Sequence, residues 1–312
     1  MTYSVMKRLL LMLPLLLVIS FLTFALTHLS SEDPAVVILH AQEVPDITPS
    51  LIDQTRHKYH LNEPFLVQYW EWLQSAVQLQ FGQSFVTGED VGLRLWPAFF
   101  NTLKLTLASS SVIIVLSILF GIFTALLRGT WFDRITRTTA FILTAIPSYW
   151  LAAIFIIFVS VKWNLLPTSG LTGPSSYVLP VAVITLGYTG IYFRNVRSAV
   201  IQQLDQDDVL YMRAMGVPTF RLLIYVARNA MQVVVSIFCM SIPLILGGSV
   251  VIENVFAWPG MGQISVKAVL EQDFPMIQAY VLIVSVLFIL FNTLADVINM
   301  WLNPRLREGD AR

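Results

Sequence analysis

The chain has 312 residues, 56% of them hydrophobic and only 12% charged, against roughly 45–50% apolar and about 25% charged in a soluble domain. That is the balance of a multi-spanning membrane protein. A formal net charge of +0 offers no footprint for nucleic acid, and the single cysteine, Cys239, excludes an intrachain disulfide and any CxxC metal or redox motif.

A helix crosses the hydrocarbon core, about 30 Å thick, with about 20 apolar residues, because each rises about 1.5 Å. Six stretches meet or approach that requirement, near 9–29, 102–127, 138–161, 177–198, 231–252 and 279–301. The first follows Lys7 and Arg8, and no small-x-small pattern precedes "SSEDPAVV". It is therefore expected to be a retained span and not a cleaved leader. The fourth is diluted in its far half by Gly187, Gly190, Arg194 and Arg197.

Lysine and arginine orient the spans. With a cytoplasmic N-terminus, that side holds 13 of the 19 basic residues, among them Arg128, Arg134, Arg137, Arg213, Arg221 and Arg228. Both termini then face the cytoplasm, and residues 303–312 form a cytoplasmic tail.

Residues 30–98 are too many for a plain connection and too aromatic, in "EPFLVQYWEWLQSAVQLQFGQSF", for a disordered linker. They are expected to form a small helical extracytoplasmic domain. "PSLIDQTRHKYHL" and "VQYWEWLQSAVQL" supply its helices, and Trp70, Trp72 and Trp96 suit a membrane interface. His57, His60 and Glu63 stand at H-x-x-H-x-x-E spacing, a set that imidazole chemistry would suit to nickel. An exposed helix face explains the spacing as well, so no metal site is assigned.

The long polar interruption of the second half is "DDVLYMRAMGVPTFRLLIYVARNA", residues 207–230. Asp207 or Asp208 can cap a helix "VLYMRAM". Gly216 then falls where a left-handed residue ends a helix, and Pro218 prevents continuation. Thr219 can cap a second helix that runs into the fifth span. A plain cytoplasmic loop is the simpler reading, but Leu210, Tyr211, Met212, Met215, Val217 and Phe220 are too many apolar residues for a loop that meets only water. A helical hairpin with an apolar ridge, flanked by arginines, suits a groove on a partner.

These residues carry a resemblance. Arg213, Ala214 and Gly216, with "ARNA" at 227–230, resemble the cytoplasmic coupling loop of the dipeptide, oligopeptide and nickel permease family of ABC importers. "LNEPFLVQYWEWL" at 61–73, "FGQSF" at 81–85, "VIENVFAWPGMG" at 251–262 and "ADVINMWLNPRL" at 295–306 match in family order, and "IENVFAWPG" is most similar to the nickel permeases. The chain departs from the family where a Glu-Ala-Ala triplet is usual, at Leu210, Tyr211 and Met212. It also departs at Met215, often basic, and at Asn303, Pro304 and Arg305, often Asp-Pro-Arg.

The resemblance implies an all-α membrane protein with the six transmembrane helices of the type I ABC importer permease fold. The permease domain would cover 99–302, with the coupling loop at 199–230. It would reside in the bacterial inner membrane and pair with a second homologous permease, two ATP-binding cassette ATPase subunits and an extracytoplasmic substrate-binding protein. Asp208, Tyr211, Met212, Arg213, Ala214, Met215, Gly216, Val217, Phe220 and Arg221 would meet the ATPase, which moves them as a rigid lever on the fourth and fifth spans. The cargo implied is nickel, as a chelate or metallophore complex, with short peptides as the alternative.

None of the five lysines follows a glycine, so a Walker A phosphate cradle is excluded, and no HExxH or GxSxG stretch occurs. No catalytic residue and no cofactor are assigned. A carrier driven by an ion gradient would show inverted repeats and buried charges in several spans, and the sequence has neither. Polar and small residues inside the spans remain as path or gate candidates: Pro147, Ser148, Ser241, Gly247, Gly248, Ser249, Glu253, Asn254 and Asp296. Ser236, Ser241, Pro243, Gly247, Gly248 and Ser249 share a small-residue face that fits close packing or a path lined by backbone equally. Asp296, one turn from Asn292 and Asn299, reads first as a packing carboxylate.

Overall fold

Apolar runs without water to satisfy their backbone must close their hydrogen bonds internally, and helices follow the runs. The structure, a computed structural model, describes residues 2–28, 33–42 and 44–302. Among the described residues the only extended pairing is an isolated bridge between Gln83 and Asp90. The helices are α1 (Thr2–His28), α2 (Pro34–Ala41), α3 (Pro49–Lys58), α4 (Phe65–Val77), α5 (Val91–Leu126) and α6 (Trp131–Ala145). α7 (Ser148–Phe155) continues as a π-helical segment, Ile156–Lys162. α8 (Val178–Leu204), α9 (Asp207–Ala214), α10 (Thr219–Val255), α11 (Met261–Leu270) and α12 (Phe274–Leu302) complete the chain.

Among the described residues, four segments are long and apolar enough to cross a membrane: Val91–Leu126, Pro174–Leu204, Ile237–Val255 and Phe274–Ile298. A fifth is present if α6 and α7 with its π segment count as one, but these meet at a bend of 98°. The third expected span is therefore broken. Pro147 cannot donate a backbone hydrogen bond and disfavours helical geometry in the residue before it. Ile146 accordingly turns extended at φ −76°, ψ 126°. The first expected span is helical, and Met12–Leu26 within it is an apolar helix. The expected tail 303–312 lies outside the described residues.

The chain divides into two compact units. One comprises Leu103–Trp258 with short pieces from both chain ends. α8 is its centre, with α6, α7 and α10 packed on it. The approach of α6 is close: a Cβ at Gly190 would lie 2.5 Å from the Ala140 carbonyl oxygen. Tyr192 and Phe238 join α8 to α10 with ring centroids 5.3 Å apart. After α10, Trp258 is fully buried and meets Tyr177 edge-on at 4.6 Å. Its backbone N–H closes on the Glu253 carbonyl at 2.8 Å.

The other unit comprises Lys7–Thr102 and Pro259–Ile289. Phe81, Val91, Leu95, Met261 and Met276 form its core. Phe24 of α1 packs on Tyr69 and Trp72 of α4 at 5.5 and 5.8 Å. Asp273, just before α12, is buried and accepts hydrogen bonds from the Ser84 hydroxyl and the Phe85 N–H. These bonds fix the "FGQSF" loop. Arg56 of α3 pairs with Asp33, which caps α2 by accepting from the Ala35 N–H at 3.0 Å. Burial alone would raise the Asp33 carboxyl, but the Arg56 hydrogen bond, the Ala35 N–H and the Arg56 charge outweigh it and hold it below the ordinary 3.8.

Candidate functional site

The polar interruption folds as a hairpin whose turn is set by backbone hydrogen bonds. The Gly216 N–H donates to the Arg213 carbonyl and the Val217 N–H to the Met212 carbonyl, each at 3.0 Å. This doubly bonded pattern closes a helix around one left-handed residue, and Gly216 supplies it at φ +74°. A residue with a Cβ would sit there at a cost of roughly 1 kcal/mol or more. Pro218, at φ −56°, then starts α10.

Two details differ from the sequence expectation. Gln206 occupies the position before α9, and both aspartates lie inside the first turn. Asp208 is free to look elsewhere because one oxygen accepts from the Val209 N–H at 2.9 Å and the other from the Tyr225 hydroxyl of α10. That hydrogen bond raises the Tyr225 phenol above its ordinary value. Likewise Thr219 is the first residue of α10 and not its cap. The second arm of the hairpin and the fifth expected span are one continuous helix.

The apolar residues of the hairpin divide into two sets. Val209 is fully buried, and Met212 packs on the core of its unit, which anchors α9. Leu210, Tyr211, Met215 and Phe220 stay exposed, Phe220 at 73%. Arg213, Ala214 and Arg221 are exposed beside them, and Val217 is half-buried. Large apolar side chains rimmed by arginines thus form an exposed cluster at this turn.

The path candidates also divide. Ser241 and Ser249 are buried, with hydroxyls donated to the carbonyls of Phe238 and Leu246. Glu253 is fully buried and accepts from the Ser249 hydroxyl at 3.1 Å. A Cβ at Gly248 would fall 2.1 Å from the Tyr188 hydroxyl oxygen. These four are enclosed by neighbours within the chain. Gly247, by contrast, is exposed with nothing within 4 Å of where a Cβ would be. Asn254 is exposed and returns its amide to the Val250 carbonyl. Pro147, exposed, and Ser148, half-buried, stand at the break between α6 and α7. Asp296 is half-buried on α12.

The H-x-x-H-x-x-E spacing does not survive folding as a helix face. α3 ends at Lys58, and His60 takes a left-handed backbone at φ +55°. Among the described residues no three His, Cys, Asp or Glu side chains gather to hold a metal.

One constellation was not foreseen. Asp133, in the first turn of α6, is 2% exposed, and both its oxygens are engaged by Arg197 of α8 at 2.8 and 2.9 Å. The Gly129 N–H adds a third bond at 3.1 Å. Arg197 had read only as a charge diluting the fourth span.

The chain thus combines helices long and apolar enough to cross a membrane with a helical hairpin whose large apolar side chains stay exposed. The chain matches the family described as binding-protein-dependent transport system inner membrane component over residues 117–308, and that family's N-terminal domain over residues 1–106. It belongs to that family: it is a permease subunit of an ABC importer, and the ATPase resides on separate chains. It is 61% identical over 305 residues, 98% of each chain, to the metal-staphylopine import system permease protein CntB of Staphylococcus aureus strain NCTC 8325. It is 34% identical over 304 residues to the glutathione transport system permease protein GsiC of Escherichia coli K12, covering 97% of this chain and 98% of that one. Among solved structures, an inward-facing form of the MetNI methionine ABC transporter covers 68% of this chain and 97% of its own, with a TM-score of 0.55 at 19% identity. That likeness shows the fold.

Proposed function

We propose that this permease carries nickel across the inner membrane as a complex with an organic metallophore. The observation that supports the cargo is the 61% identity, over almost the full length of both chains, to a permease named for metal-staphylopine import. The glutathione and peptide permeases stand at about half that identity.

In this reading a second homologous permease completes the path, two ATPase chains supply the stroke, and an extracytoplasmic binding protein delivers the complex. Six spans place both termini in the cytoplasm, residues 30–98 outside, and the 199–230 segment against the ATPase. Leu210, Tyr211, Met215 and Phe220 enter a groove of the ATPase chain. Gly247, Asn254, Pro147 and Ser148 face the path; Ser241, Gly248, Ser249 and Glu253 support it from behind, and Asp296 braces the last span.

The test is uptake of radiolabelled nickel by cells carrying the whole importer, with and without staphylopine, beside competition with dipeptides. Uptake that depends on the chelator supports the assignment. No nickel uptake in either condition, together with dipeptide transport, refutes it in favour of a peptide cargo.

A further inference from the structure

We propose that the turn between α5 and α6 moves with the coupling hairpin as one block, and that Asp133 is the positioning residue that joins them. The proposal rests on the reading of the hairpin as the ATPase-facing element. It adds a route by which motion of the hairpin reaches α6 and the break at Pro147.

Two ties hold the block. The first is the buried fork: the Arg197 Nε and Nη2 donate to Asp133 Oδ1 and Oδ2, and Arg137 approaches Oδ1 at 3.6 Å. Arg197 lies two turns before the end of α8, and only Asp205 and Gln206 separate α8 from α9. The second is in that connector, where the Arg128 Nη1 donates to Asp205 Oδ2 at 3.0 Å. This second pair is exposed on both sides and weak alone. The first is not. A carboxylate 2% exposed that loses its guanidinium keeps a charge without water to solvate it, so displacement of α8 past α6 is resisted.

Beyond the buried tie, towards Ala145, the two helices are closely apposed, because the Gly190 backbone rests against Ala140. A displacement of α9 is therefore passed through α8 to the first turn of α6 and along α6 to Ala145. There the helix ends and the chain turns through 98°. The break is the first place where the motion can be absorbed or redirected, and it holds Pro147 and Ser148. An ion pair that only stabilised the fold would require charge; one that transmits position requires the planar fork, which lysine lacks.

The experiment uses the complete importer in proteoliposomes with radiolabelled nickel and staphylopine. Four quantities are read: uptake, ATP hydrolysis, the ratio of ATPase chains that co-purify, and thermal stability. Arg197→Lys and Asp133→Asn are expected to keep the ATPase chains bound while nickel moved per ATP falls on the order of 2- to 30-fold. Reciprocal exchange, Asp133→Arg with Arg197→Asp, should recover part of that loss. Arg128→Ala, at an exposed site that cannot unfold the protein, should lower the ratio in the same direction by about twofold.

If Asp133→Asn fails to fold, Arg197→Lys and Arg128→Ala decide, and an unchanged nickel-to-ATP ratio in both overturns the proposal. A fall in stability with the ratio unchanged also overturns it, because the pair would then be structural only. Loss of ATPase chains in Arg197→Lys overturns it too, since the tie would act on assembly and not on transmission. Failure of the underlying reading shows differently: ATPase association would be intact in Phe220→Ala.

Discussion

Replacing Phe220 by alanine tests the hairpin as a docking ridge. A phenylalanine buries roughly 200 Å² when fully enclosed, and Phe220 is 73% exposed in the free chain, so about 150 Å² is open for a partner to cover. At about 25 cal/mol per Å² that amounts to roughly 3.7 kcal/mol as an upper bound. Ordering and desolvation consume part of it. A central aromatic anchor typically retains at least 2 kcal/mol, which weakens association about 30-fold when it is truncated. The assay is binding of the isolated ATPase chain to the permease pair in nanodiscs. Thermal stability should change by less than about 0.5 kcal/mol, since the side chain faces outward. A dissociation constant within about twofold of the parent, at unchanged stability, would refute the reasoning, because an uncovered ring contributes nothing to binding.

Gly216→Val should leave the protein inserted but lower transport sharply, because a β-branched residue is strained at φ +74°; normal uptake at normal protein levels would count against the hairpin's role. Gly190→Ala should cost about 1–3 kcal/mol through overpacking against Ala140, read as a lower melting temperature of the purified protein, whereas an unchanged value would mean the helices separate freely. The Asp33 carboxyl lies below its ordinary 3.8 when folded, so its stabilising effect is complete above that pH and is lost as pH falls through the lower folded value. Hydrogen exchange in Pro34–Lys58, corrected for intrinsic rates, should therefore stay level from about pH 7 to about 5 and rise below about 4, and a rise already near pH 6 would implicate another group. With Cys239 replaced, a cysteine at Ser50 should react with a membrane-impermeant thiol reagent in intact cells and one at Gln206 should not; the opposite pattern would invert the topology.

The hairpin turn was legible in the sequence because its signals are local: a glycine where the helix must reverse, a proline two residues later, and apolar residues on a polar background. The family was legible for a related reason, as its motifs are contiguous strings. What escaped were pairings across helices. Asp133 and Arg197 lie 64 residues apart, and nothing in the periodicity of either helix names the other as partner. Asp273 and Ser84 escaped in the same way. The small-residue face of α10 could not be resolved because serine and glycine allow both close packing and a lined path. Only the positions of Tyr188 and Glu253 separate Gly248 and Ser249 from Gly247. Pro147 was visible, yet whether a proline kinks a span or breaks it depends on whether neighbours hold the preceding residue helical. Ile146 is not so held.

α10 runs from Thr219 to Val255 without interruption, a rod about 55 Å long at 1.5 Å per residue. Its internal weak point, Pro243, lies about 36 Å from the hairpin end and about 18 Å from the other. If the helix tilts as one rigid body about that residue, it acts as a reducing lever: sideways travel at the hairpin arrives at the far end halved and reversed in direction, with the force about doubled. A broad stroke at one end would then be a small, firm displacement at the other, beside the buried Glu253 and Trp258.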